Sequence, residues 1–397
     1  EGTFIGHHIM VPKEGVALHI NAFNFPVWGM LEKIAVNLLA GVPALVKPAT
    51  LTSYLTEVVV RDIDASGILP KGSLQLICGS AAGVFDHLEL QDVVTFTGSA
   101  STGKMLKQHT RLIDEAIPFN MEADSLNAAI LGLDAAPGTE EFELFIKEVR
   151  KEITVKCGQK CTAVRRILVP ENFIEDVQSA LAKALAQTAI GDPRDEKTRM
   201  GALAGKQQRA DVMLALEKLK TESQTVYSSD ELNLISADAN KGAFMSPVLL
   251  RNDNPFENLI SHNVEAFGPV STLMPYKTTE EAVAISKLGK GSLVCSITTN
   301  DTSIAKDFVL NAASHHGRIL VLNRHSAKES TGHGSPMPLL VHGGPGRAGG
   351  GEEMGGKRGV MHYLQRTAIQ GSPTMLTAIT GVYQQGSDQP EAQPHLF

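Results

Sequence analysis

The first third of the chain alternates short, mainly apolar segments with longer amphipathic ones. The apolar segments, which predict buried strands, are residues 16–20, 44–47, 74–77 and 93–97. Apolar positions at helical spacing predict helices over about residues 31–39, 53–66 and 102–109. Strands that alternate with helices in this way are typical of a parallel sheet whose two faces are covered.

A second set of segments follows the first. Its predicted strands are residues 166–169, 293–298 and 319–322. Its predicted helices are residues 140–155, 174–189, 206–221 and 303–313. The two sets predict two α/β domains that join near residues 122–134, and the polar residues beyond about 381 predict a loose tail.

Composition and charge narrow the class of protein. The 397 residues are 43% hydrophobic and 20% charged, and the formal charge of −7 does not favour binding to nucleic acid or to an anionic membrane. No apolar run approaches the roughly 18 residues of a membrane-spanning helix. Four cysteines in so long a chain, without a basic and apolar leader, predict a reducing, cytoplasmic location. Because the chain begins at Glu1 in strand-like sequence, we expect an N-terminal segment to be missing.

Two glycine-rich stretches raise the question of phosphate binding. The strand VVTFT leads into Gly98-Ser-Ala-Ser-Thr-Gly103 and a helix, where free backbone N–H groups favour an anion, but an ordinary tight turn explains the same residues. The stretch HGGPGRAGGGEEMGGKR, residues 342–358, lacks the G-K-[ST] of a phosphate loop. We interpret residues 336–356 as a flexible, glycine-rich connector that borders a substrate mouth. Five histidines are interpreted as surface or loop residues: His315, His316, His325, His333 and His342.

The segment VKCGQKCTAV, residues 155–164, contains two cysteines four residues apart. A structural zinc site needs four Cys or His ligands, and the sequence has no second such cysteine pair, so we expect no metal. A disulfide does not suit a reducing compartment, which leaves a catalytic thiol. Cys157 is predicted at a helix end, whereas Gly158 lets the chain leave that helix, which favours Cys161. The isolated Cys78 and Cys295 are interpreted as small core residues.

The motif around Cys161 and five others resemble motifs of the aldehyde dehydrogenase superfamily, in that family's order. They are Asn24-Phe-Pro, Val46-Lys47-Pro48-Ala49, Phe96-Thr-Gly-Ser99, Asn120-Met-Glu122, Gly158-Gln-Lys-Cys161 and Glu265-Ala-Phe-Gly-Pro269. The resemblance covers nearly the whole chain. It implies the aldehyde dehydrogenase fold, with a Rossmann-like cofactor domain, an α/β catalytic domain and a small oligomerisation β element.

This resemblance implies domain limits as well. The NADP-binding domain would be residues 14–123, without its N-terminal part, and the catalytic domain residues 124–335. Residues 1–13 and 357–372 would supply paired oligomerisation strands, and residues 373–397 a C-terminal tail or linker. The pairing implies at least a dimer.

The resemblance also implies a role for each catalytic residue. The Cys161 thiolate would attack the aldehyde carbon, and the Asn24 amide would hold the resulting oxyanion together with the backbone N–H of Cys161. Glu122 would then activate water for hydrolysis of the thioester. Asp124 is a competing base, because two residues further along a strand a side chain faces the same side.

Six residues would bind the cofactor: Lys47, Thr50, Gly98, Ser99, Glu265 and Phe267. Many relatives that prefer NAD have a glutamate at the place of Thr50, where a carboxylate would repel a 2′-phosphate. Thr50 removes that repulsion and Lys47 offers a positive partner, so we expect NADP in preference to NAD. Gly98 and Ser99 would meet the pyrophosphate, Glu265 the nicotinamide ribose, and Phe267 the nicotinamide.

Four segments resemble one branch of the family, the aldehyde dehydrogenase part of bifunctional phenylacetate-degradation enzymes of the PaaZ type. They are HINAFNFPVWGMLEK (19–33), MEADSLN (121–127), SAKESTGHGSP (326–336) and HGGPGRAGGGEEMGG (342–356). This implies a substrate of the 3-oxo-5,6-dehydrosuberyl-CoA semialdehyde type and, as a partner, a fused or associated enoyl-CoA-hydratase-type domain. Because residue 397 comes too early for such a domain, we expect a single-function relative or a piece of a bifunctional chain.

Two alternatives stay open. One is a 3,4-dehydroadipyl-CoA semialdehyde dehydrogenase of benzoate degradation. The other is a non-catalytic scaffold of the same fold that feeds a hydratase partner.

Overall fold

The computed structural model describes residues 3–81, 83–353 and 356–389. The strands of these residues are β1 (Ile5–Pro12), β2 (Ala17–Ile20), β3 (Ala44–Lys47), β4 (Leu74–Leu76), β5 (Val93–Thr97), β6 (Phe119–Glu122), β7 (Asn127–Leu131), β8 (Val164–Pro170), β9 (Gln224–Tyr227), β10 (Val248–Arg251), β11 (Val270–Tyr276), β12 (Ser292–Thr298), β13 (His316–Leu322), β14 (His342–Gly343), β15 (Glu352–Glu353) and β16 (Leu364–Gly371). Their α-helices are α1 (Trp28–Leu39), α2 (Ser53–Ser66), α3 (Ala100–Lys107), α4 (Thr110–Asp114), α5 (Glu140–Thr154), α6 (Ile174–Ala186), α7 (Lys206–Lys220), α8 (Thr279–Lys287), α9 (Thr302–Ala312), α10 (Gly356–Met361) and α11 (Pro373–Thr380).

A smaller sheet of five parallel strands has the order β4-β3-β2-β5-β6. Alternate side chains pack on its two faces: Val46 lies in a core with Ile34 of α1, whereas Leu18 and Val94 lie in another with Leu112 of α4. The chain runs from β2 outward to β4 and then crosses back to β5 and β6. This leaves a switch point between β2 and β5, where the carboxyl ends of the strands open a crevice suited to a ligand.

A larger sheet has the order β13-β12-β7-β8-β11-β10-β9 and is parallel except for β9, which is antiparallel to β10. β8 and β12 are buried along their whole lengths. The chain passes from the smaller sheet to the larger one between Glu122 and Asn127, within the predicted join. The carboxyl end of β6 therefore lies where the two sheets meet, while the predicted domain limits stay a prediction.

The parallel sheets expected from the alternating segments are confirmed, and α2, β3 and β5 have the predicted bounds. The apolar pattern alone did not predict β11. Its Ser271 and Thr272 are buried, and the Ser271 hydroxyl donates a hydrogen bond to the Val164 carbonyl at 2.6 Å. Polar side chains satisfied inside a sheet hide the apolar run that marks a buried strand.

The terminal segments meet in a separate two-stranded ribbon. β1 and β16 pair antiparallel, with Ile5 opposite Gly371 and Pro12 opposite Leu364. The predicted role of this ribbon in oligomerisation stays a prediction. Among the described helices, none has the length and apolar composition needed to cross a membrane.

The first residues of the predicted C-terminal tail or linker form α11, which ends just before the residues predicted to be loose. The Ser372 hydroxyl accepts a hydrogen bond from the Met375 N–H, Pro373 occupies the first turn, and Leu376 is buried. Gly381 ends the helix in the left-handed region, with φ 67°. Parts of three predicted segments lie outside the described residues: residues 1–2 of the first oligomerisation strand, 354–355 of the connector, and 390–397 of the tail.

Candidate active site

The chain reverses sharply just before Cys161. Helix α5 ends at Thr154, and Lys156, Cys157 and Gly158 then all adopt positive φ, at 54°, 52° and 67°. At Gly158 a β-carbon would lie 2.2 Å from the carbonyl oxygen of Gly268, so a side chain does not fit there. This tight turn places Cys161 just before β8, at the amino end of the larger sheet's central strand.

Buried polar side chains donate hydrogen bonds to the backbone of this turn. The Asn127 amide donates to the carbonyls of Cys161 at 2.8 Å and Ala163 at 3.0 Å. The Arg165 guanidinium donates to the carbonyls of Gly158 at 2.9 Å and Gly268 at 2.8 Å. Charge-assisted bonds of this kind fix backbone more firmly than neutral ones, so the position of Cys161 is set by its surroundings.

The two cysteines of the motif have different environments. Cys157 lies one turn past α5, not on the helix end as expected, and its side chain is fully buried in an apolar core with Val212 and Leu216. Burial raises the pKa of Cys157 to about 12. Cys161 is partly exposed and lines a pocket. Local geometry therefore separates a packed cysteine from one that a small molecule can reach.

The other two cysteines divide in the same way. Cys295 is buried in β12, as expected for a core residue. Cys78 is exposed and lies just past the end of β4, so its interpretation as a core residue was wrong. The apolar segment 74–77 predicted a strand one residue longer than β4, and the exposed position lies beyond it.

Three predicted catalytic residues line one pocket: Asn24, Glu122 and Cys161. Glu122 ends β6 and is buried. The Asn24 amide donates to the Gln159 carbonyl at 3.2 Å, which places it beside the Cys161 turn. The competing base, Asp124, is instead paired with Arg347 at 2.9 Å. It lies beyond the last residue of β6, so the expected strand alternation does not apply to it.

His342 joins this site, which corrects its interpretation as a surface or loop residue. It is buried, as are His316 and His333. Its Nε2 lies 3.3 Å from Oε2 of Glu122, and its imidazole shares a hydrogen bond with the Cys161 thiol. One nitrogen, oxygen or sulfur atom from each of the three residues lies within 4.8 Å of the other two.

The proximity of these groups alters how they titrate. Burial and the Glu122 carboxylate raise the pKa of Cys161 to about 12, against the opposing effect of His342. Burial lowers the pKa of His342, but the Glu122 carboxylate and the Cys161 hydrogen bond outweigh it, and the pKa lies well above its usual value. The Glu122 carboxylate therefore favours the protonated form of the imidazole.

The glycine-rich segment 342–353 is packed and hydrogen-bonded, so its description as a flexible connector was wrong for these residues. β14 and β15 pair within it. A β-carbon on Gly343 would lie 2.4 Å from the Gly351 carbonyl, and one on Gly344 would lie 2.3 Å from the Ser292 carbonyl. Glycines are needed here because backbone packs directly on backbone, and this close packing brings His342 to Glu122.

The pocket floor contains a buried lysine that the sequence did not single out. Lys33 on α1 is 2% exposed, and its ammonium donates to Asn21 at 3.1 Å and to Thr97 at 2.5 Å. Trp28 on the same helix also lines the pocket and contacts His342 edge-on, with ring centroids 6.2 Å apart. Both residues lie in HINAFNFPVWGMLEK, where the apolar positions of residues 31–39 predicted a helix but did not indicate a buried lysine within it.

The predicted phosphate site lies at the switch point of the smaller sheet. Gly98 follows β5, and exposed Ser99 caps α3, its hydroxyl accepting from the Thr102 N–H at 3.3 Å. A β-carbon on Gly103 would lie 2.6 Å from Met121 Sδ, so glycine lets α3 approach the sheet closely. A helix start exposed beside strand ends fits the pyrophosphate of a dinucleotide. Lys47 ends the neighbouring β3, and exposed Thr50 follows it.

Glu265 and Phe267 lie on the other side of the Cys161 turn. The Glu265 carboxylate accepts from the Arg165 guanidinium at 3.1 Å and from the Ser125 N–H at 3.2 Å, and its side chain is 7% exposed. The Phe267 ring packs edge-on against Phe23, with centroids 5.9 Å apart. In this structure both oxygens of Glu265 are thus engaged by the protein.

A fold with two α/β sheets and a cysteine, a glutamate and an asparagine at their junction defines a class of enzyme. A model of the aldehyde dehydrogenase family matches residues 5–369, so the chain belongs to that family, and the family and fold expected from the six motifs are confirmed. The chain is accordingly an oxidoreductase that acts on aldehydes.

Individual relatives have more specific names than the family as a whole. A 3,4-dehydroadipyl-CoA semialdehyde dehydrogenase from Aromatoleum evansii is 45% identical over 344 residues, which cover 86% of this chain and 67% of the relative. Protein MaoC from Klebsiella aerogenes is 49% identical over 198 residues, which cover 50% of this chain and 58% of that protein. The matched region thus spans about two thirds of the first relative and less of the second.

Solved structures share the fold at low sequence identity. A double mutant of betaine aldehyde dehydrogenase from Staphylococcus aureus, in complex with NAD+, superposes with a TM-score of 0.81 at 24% identity, covering 93% of this chain and 70% of that one. Succinic semialdehyde dehydrogenase from Streptococcus pyogenes, in complex with NADP+, gives 0.79 at 21% identity, covering 92% and 74%. Both forms of the cofactor therefore occur among these neighbours.

Proposed function

We propose that this protein oxidises a CoA-linked semialdehyde to the carboxylic acid, with NADP as the electron acceptor and Cys161 as the nucleophile. The observation that carries the proposal is that Asn24, Glu122 and Cys161 line one pocket. Aldehyde oxidation through a thioester needs a thiolate, an oxyanion donor and a base for water, and these three residues supply one group for each role.

In the first step, the Cys161 sulfur attacks the aldehyde carbon and forms a thiohemiacetal. The developing oxyanion is stabilised by the Asn24 amide N–H and the backbone N–H of Cys161. The hydrogen bonds from Asn127 and Arg165 support this step, because they fix the backbone of the turn while negative charge develops on the substrate oxygen.

A bound nicotinamide dinucleotide would supply the acceptor for the hydride of the thiohemiacetal, and Cys161 would then carry the substrate as a thioester. Gly98 and Ser99 would hold its pyrophosphate at the start of α3. Lys47 would pair with a 2′-phosphate on the adenosine ribose, which Thr50, unlike a carboxylate, does not repel. Phe267 would pack against the nicotinamide, and Glu265 would reach its ribose by giving up or sharing the bond to Ser125.

In the last step, Glu122 takes a proton from water, the water oxygen attacks the thioester carbon, and the carbon–sulfur bond breaks. Glu122 is well situated for this role because it ends a strand, is buried, and faces the same pocket as the sulfur. Asp124 is held by Arg347, which supports Glu122 over Asp124 as the base.

Two CoA-linked substrates are candidates. The branch-specific sequence segments favour the 3-oxo-5,6-dehydrosuberyl-CoA semialdehyde of phenylacetate degradation. The 45% identity to the Aromatoleum evansii relative favours 3,4-dehydroadipyl-CoA semialdehyde. A cytoplasmic homo-oligomer joined through β1 and β16, and a hydratase-type domain fused to or associated with the chain, belong to the same proposal.

Steady-state oxidation of a substrate panel tests this function. The panel contains both CoA-linked semialdehydes and the corresponding free semialdehydes, each with NADP and with NAD. We expect kcat/KM to be at least about 10-fold higher for a CoA-linked aldehyde than for its free counterpart, and higher with NADP. Thr50→Glu is the matched variant, and it should reverse the cofactor preference by charge repulsion while leaving oxidation with NAD intact.

Other outcomes would contradict parts of the proposal. Equal kcat/KM for free and CoA-linked aldehydes would contradict the proposed class of substrate. A preference of the unaltered enzyme for NAD would contradict the NADP preference inferred from Thr50. No turnover of any aldehyde by the folded protein would favour the non-catalytic scaffold.

A further inference from the structure

We propose that His342 is a further catalytic residue, which takes the proton of the Cys161 thiol and holds the thiolate as its imidazolium partner. This inference rests on the proposed role of Cys161 as the nucleophile. It assigns a function to the histidine that opens the segment HGGPGRAGGG, which has no role among the three expected catalytic residues.

The geometry is that of a nucleophile, a base and an orienting carboxylate. The His342 imidazole shares a hydrogen bond with the Cys161 thiol, and its Nε2 lies 3.3 Å from Oε2 of Glu122. Cysteine nucleophiles are commonly activated by an imidazole whose orientation is fixed by a third group. Among the described residues, Glu122, Cys161 and His342 form a cluster of acidic, thiol and imidazole groups this close together.

Backbone hydrogen bonds on both sides of Glu122 join the end of β6 to the segment that contains His342. The Ala123 N–H donates to the Ala348 carbonyl at 3.0 Å, and the Gly351 N–H donates to the Met121 carbonyl at 3.1 Å. The Asn120 amide group accepts from the Glu352 N–H at 3.0 Å and donates to the Glu352 carbonyl at 3.2 Å. The segment that carries His342 is therefore attached to the strand that carries Glu122, which preserves their separation.

Other charged groups lie near Glu122, Cys161 and His342, but they do not supply the base that His342 provides. Lys156 and Arg318 each interact electrostatically with Cys161, and Glu32 and Lys33 line the pocket. The Lys156 ammonium already donates to the Asn24 carbonyl and lies 3.7 Å from the centre of the Phe25 ring. A lysine or arginine charge helps a thiolate, but an ammonium or guanidinium group has no lone pair that could accept the thiol proton, whereas the neutral form of the imidazole has one.

The proton transfer balances within the site. The S–H bond of Cys161 breaks and an N–H bond forms on the neutral imidazole, which gives a thiolate beside an imidazolium that Glu122 stabilises. When the thioester is hydrolysed, the thiolate leaves next to the same imidazolium, and either the pair or the reprotonated thiol enters the next cycle. Because the carboxylate raises the pKa of the imidazole, the neutral fraction of His342 grows as the pH rises, and the reactivity of Cys161 should rise with it.

The test is the pH dependence of Cys161 alkylation by iodoacetamide, followed by peptide mass spectrometry. All proteins carry Cys78→Ala, because Cys78 is exposed and would also react. His342→Gln and His342→Asn keep a hydrogen-bond donor near Nε2 or Nδ1 but cannot take up a proton. His325→Gln, at an exposed position, is the matched control, and circular dichroism establishes that each variant is folded.

We expect both His342 variants to alkylate at least about 10-fold more slowly than the parent between about pH 7 and pH 10, because the imidazole no longer takes up the thiol proton. The control should match the parent. The inference is overturned if folded His342→Gln and His342→Asn keep the parent's profile. Failure of the proposed function gives a different result: either the folded parent turns over no aldehyde, or Cys161→Ala retains turnover, whatever the alkylation rates of the His342 variants are.

Discussion

At the scale of single residues, the sulfur atoms of Cys157 and Cys161 have opposite surroundings. Cys157 packs among Val212, Leu216 and other apolar side chains and has no exposed surface. Cys161 lines the pocket beside Glu122 and shares a hydrogen bond with His342. Two cysteines of one short motif are not equivalent, since reactivity follows access and charge.

Cys161→Ala should lower turnover by roughly four or more orders of magnitude, because the covalent route is lost. Cys157→Ala should keep the parent's kcat and lose about 1 kcal/mol of folding stability, because only a buried sulfur is removed. Aldehyde oxidation assays and thermal unfolding of the two variants check this. Loss of activity in a stably folded Cys157→Ala protein would contradict the assignment.

Some site residues were predictable from sequence and others were not. Cys161, Glu122 and Asn24 stand in short motifs, so they were singled out before their proximity was known. His342 is separated from Glu122 by 220 residues, and no local pattern joins the two. A histidine that opens a run of glycines was the available signal, and it was read as loop because glycines also mark flexible chain.

At the scale of elements, the segment 342–353 has a structural task that requires glycine. Gly349, with φ 111°, lies against the end of β6, where a β-carbon would come within 2.2 Å of the Met121 carbonyl. Gly350, with φ 72°, has no heavy atom within 4 Å of the same position. The two neighbours share a left-handed backbone and differ in how closely they are packed.

These neighbours provide a matched pair of substitutions. Gly349→Ala should cost about 3 kcal/mol and lower kcat, because it pushes the segment away from the strand that carries Glu122. Gly350→Ala should cost about 1 kcal/mol, from backbone strain alone, with kcat near that of the parent. Denaturant unfolding and steady-state kinetics measure both effects. Equal effects on kcat would contradict the attachment of this segment to β6.

The elements themselves were predictable where the pattern was simple. β3, β5 and α2 follow from apolar periodicity and flanking glycine or proline, and their bounds agree with the structure. β11 did not follow, because Ser271 and Thr272 are buried within it, and the Ser271 hydroxyl is satisfied by a hydrogen bond that only the folded sheet supplies. The packing of glycines against backbone could not be predicted either, because a sequence shows where the glycines are but not which backbone atoms they contact.

At the scale of the whole molecule, the site combines parts of both sheets. Glu122 ends the edge strand of the smaller sheet, and Cys161 precedes β8 within the larger one. His342 belongs to β14, which pairs with β15 in the segment 342–353. The proposed reaction therefore needs the two sheets in their present relation, with Cys161 forming the bond to carbon and Glu122 activating the water that breaks it.

The most direct test of this account is to trap the covalent intermediate in a Glu122→Gln variant. The variant is mixed rapidly with a CoA-linked semialdehyde and NADP, and NADPH absorbance and peptide mass are recorded. Without the carboxylate, hydrolysis should slow by roughly 100- to 10,000-fold. We predict a burst of about one NADPH per subunit and an added acyl mass on Cys161. Steady turnover without a burst, or an acyl group on any other residue, would contradict the account.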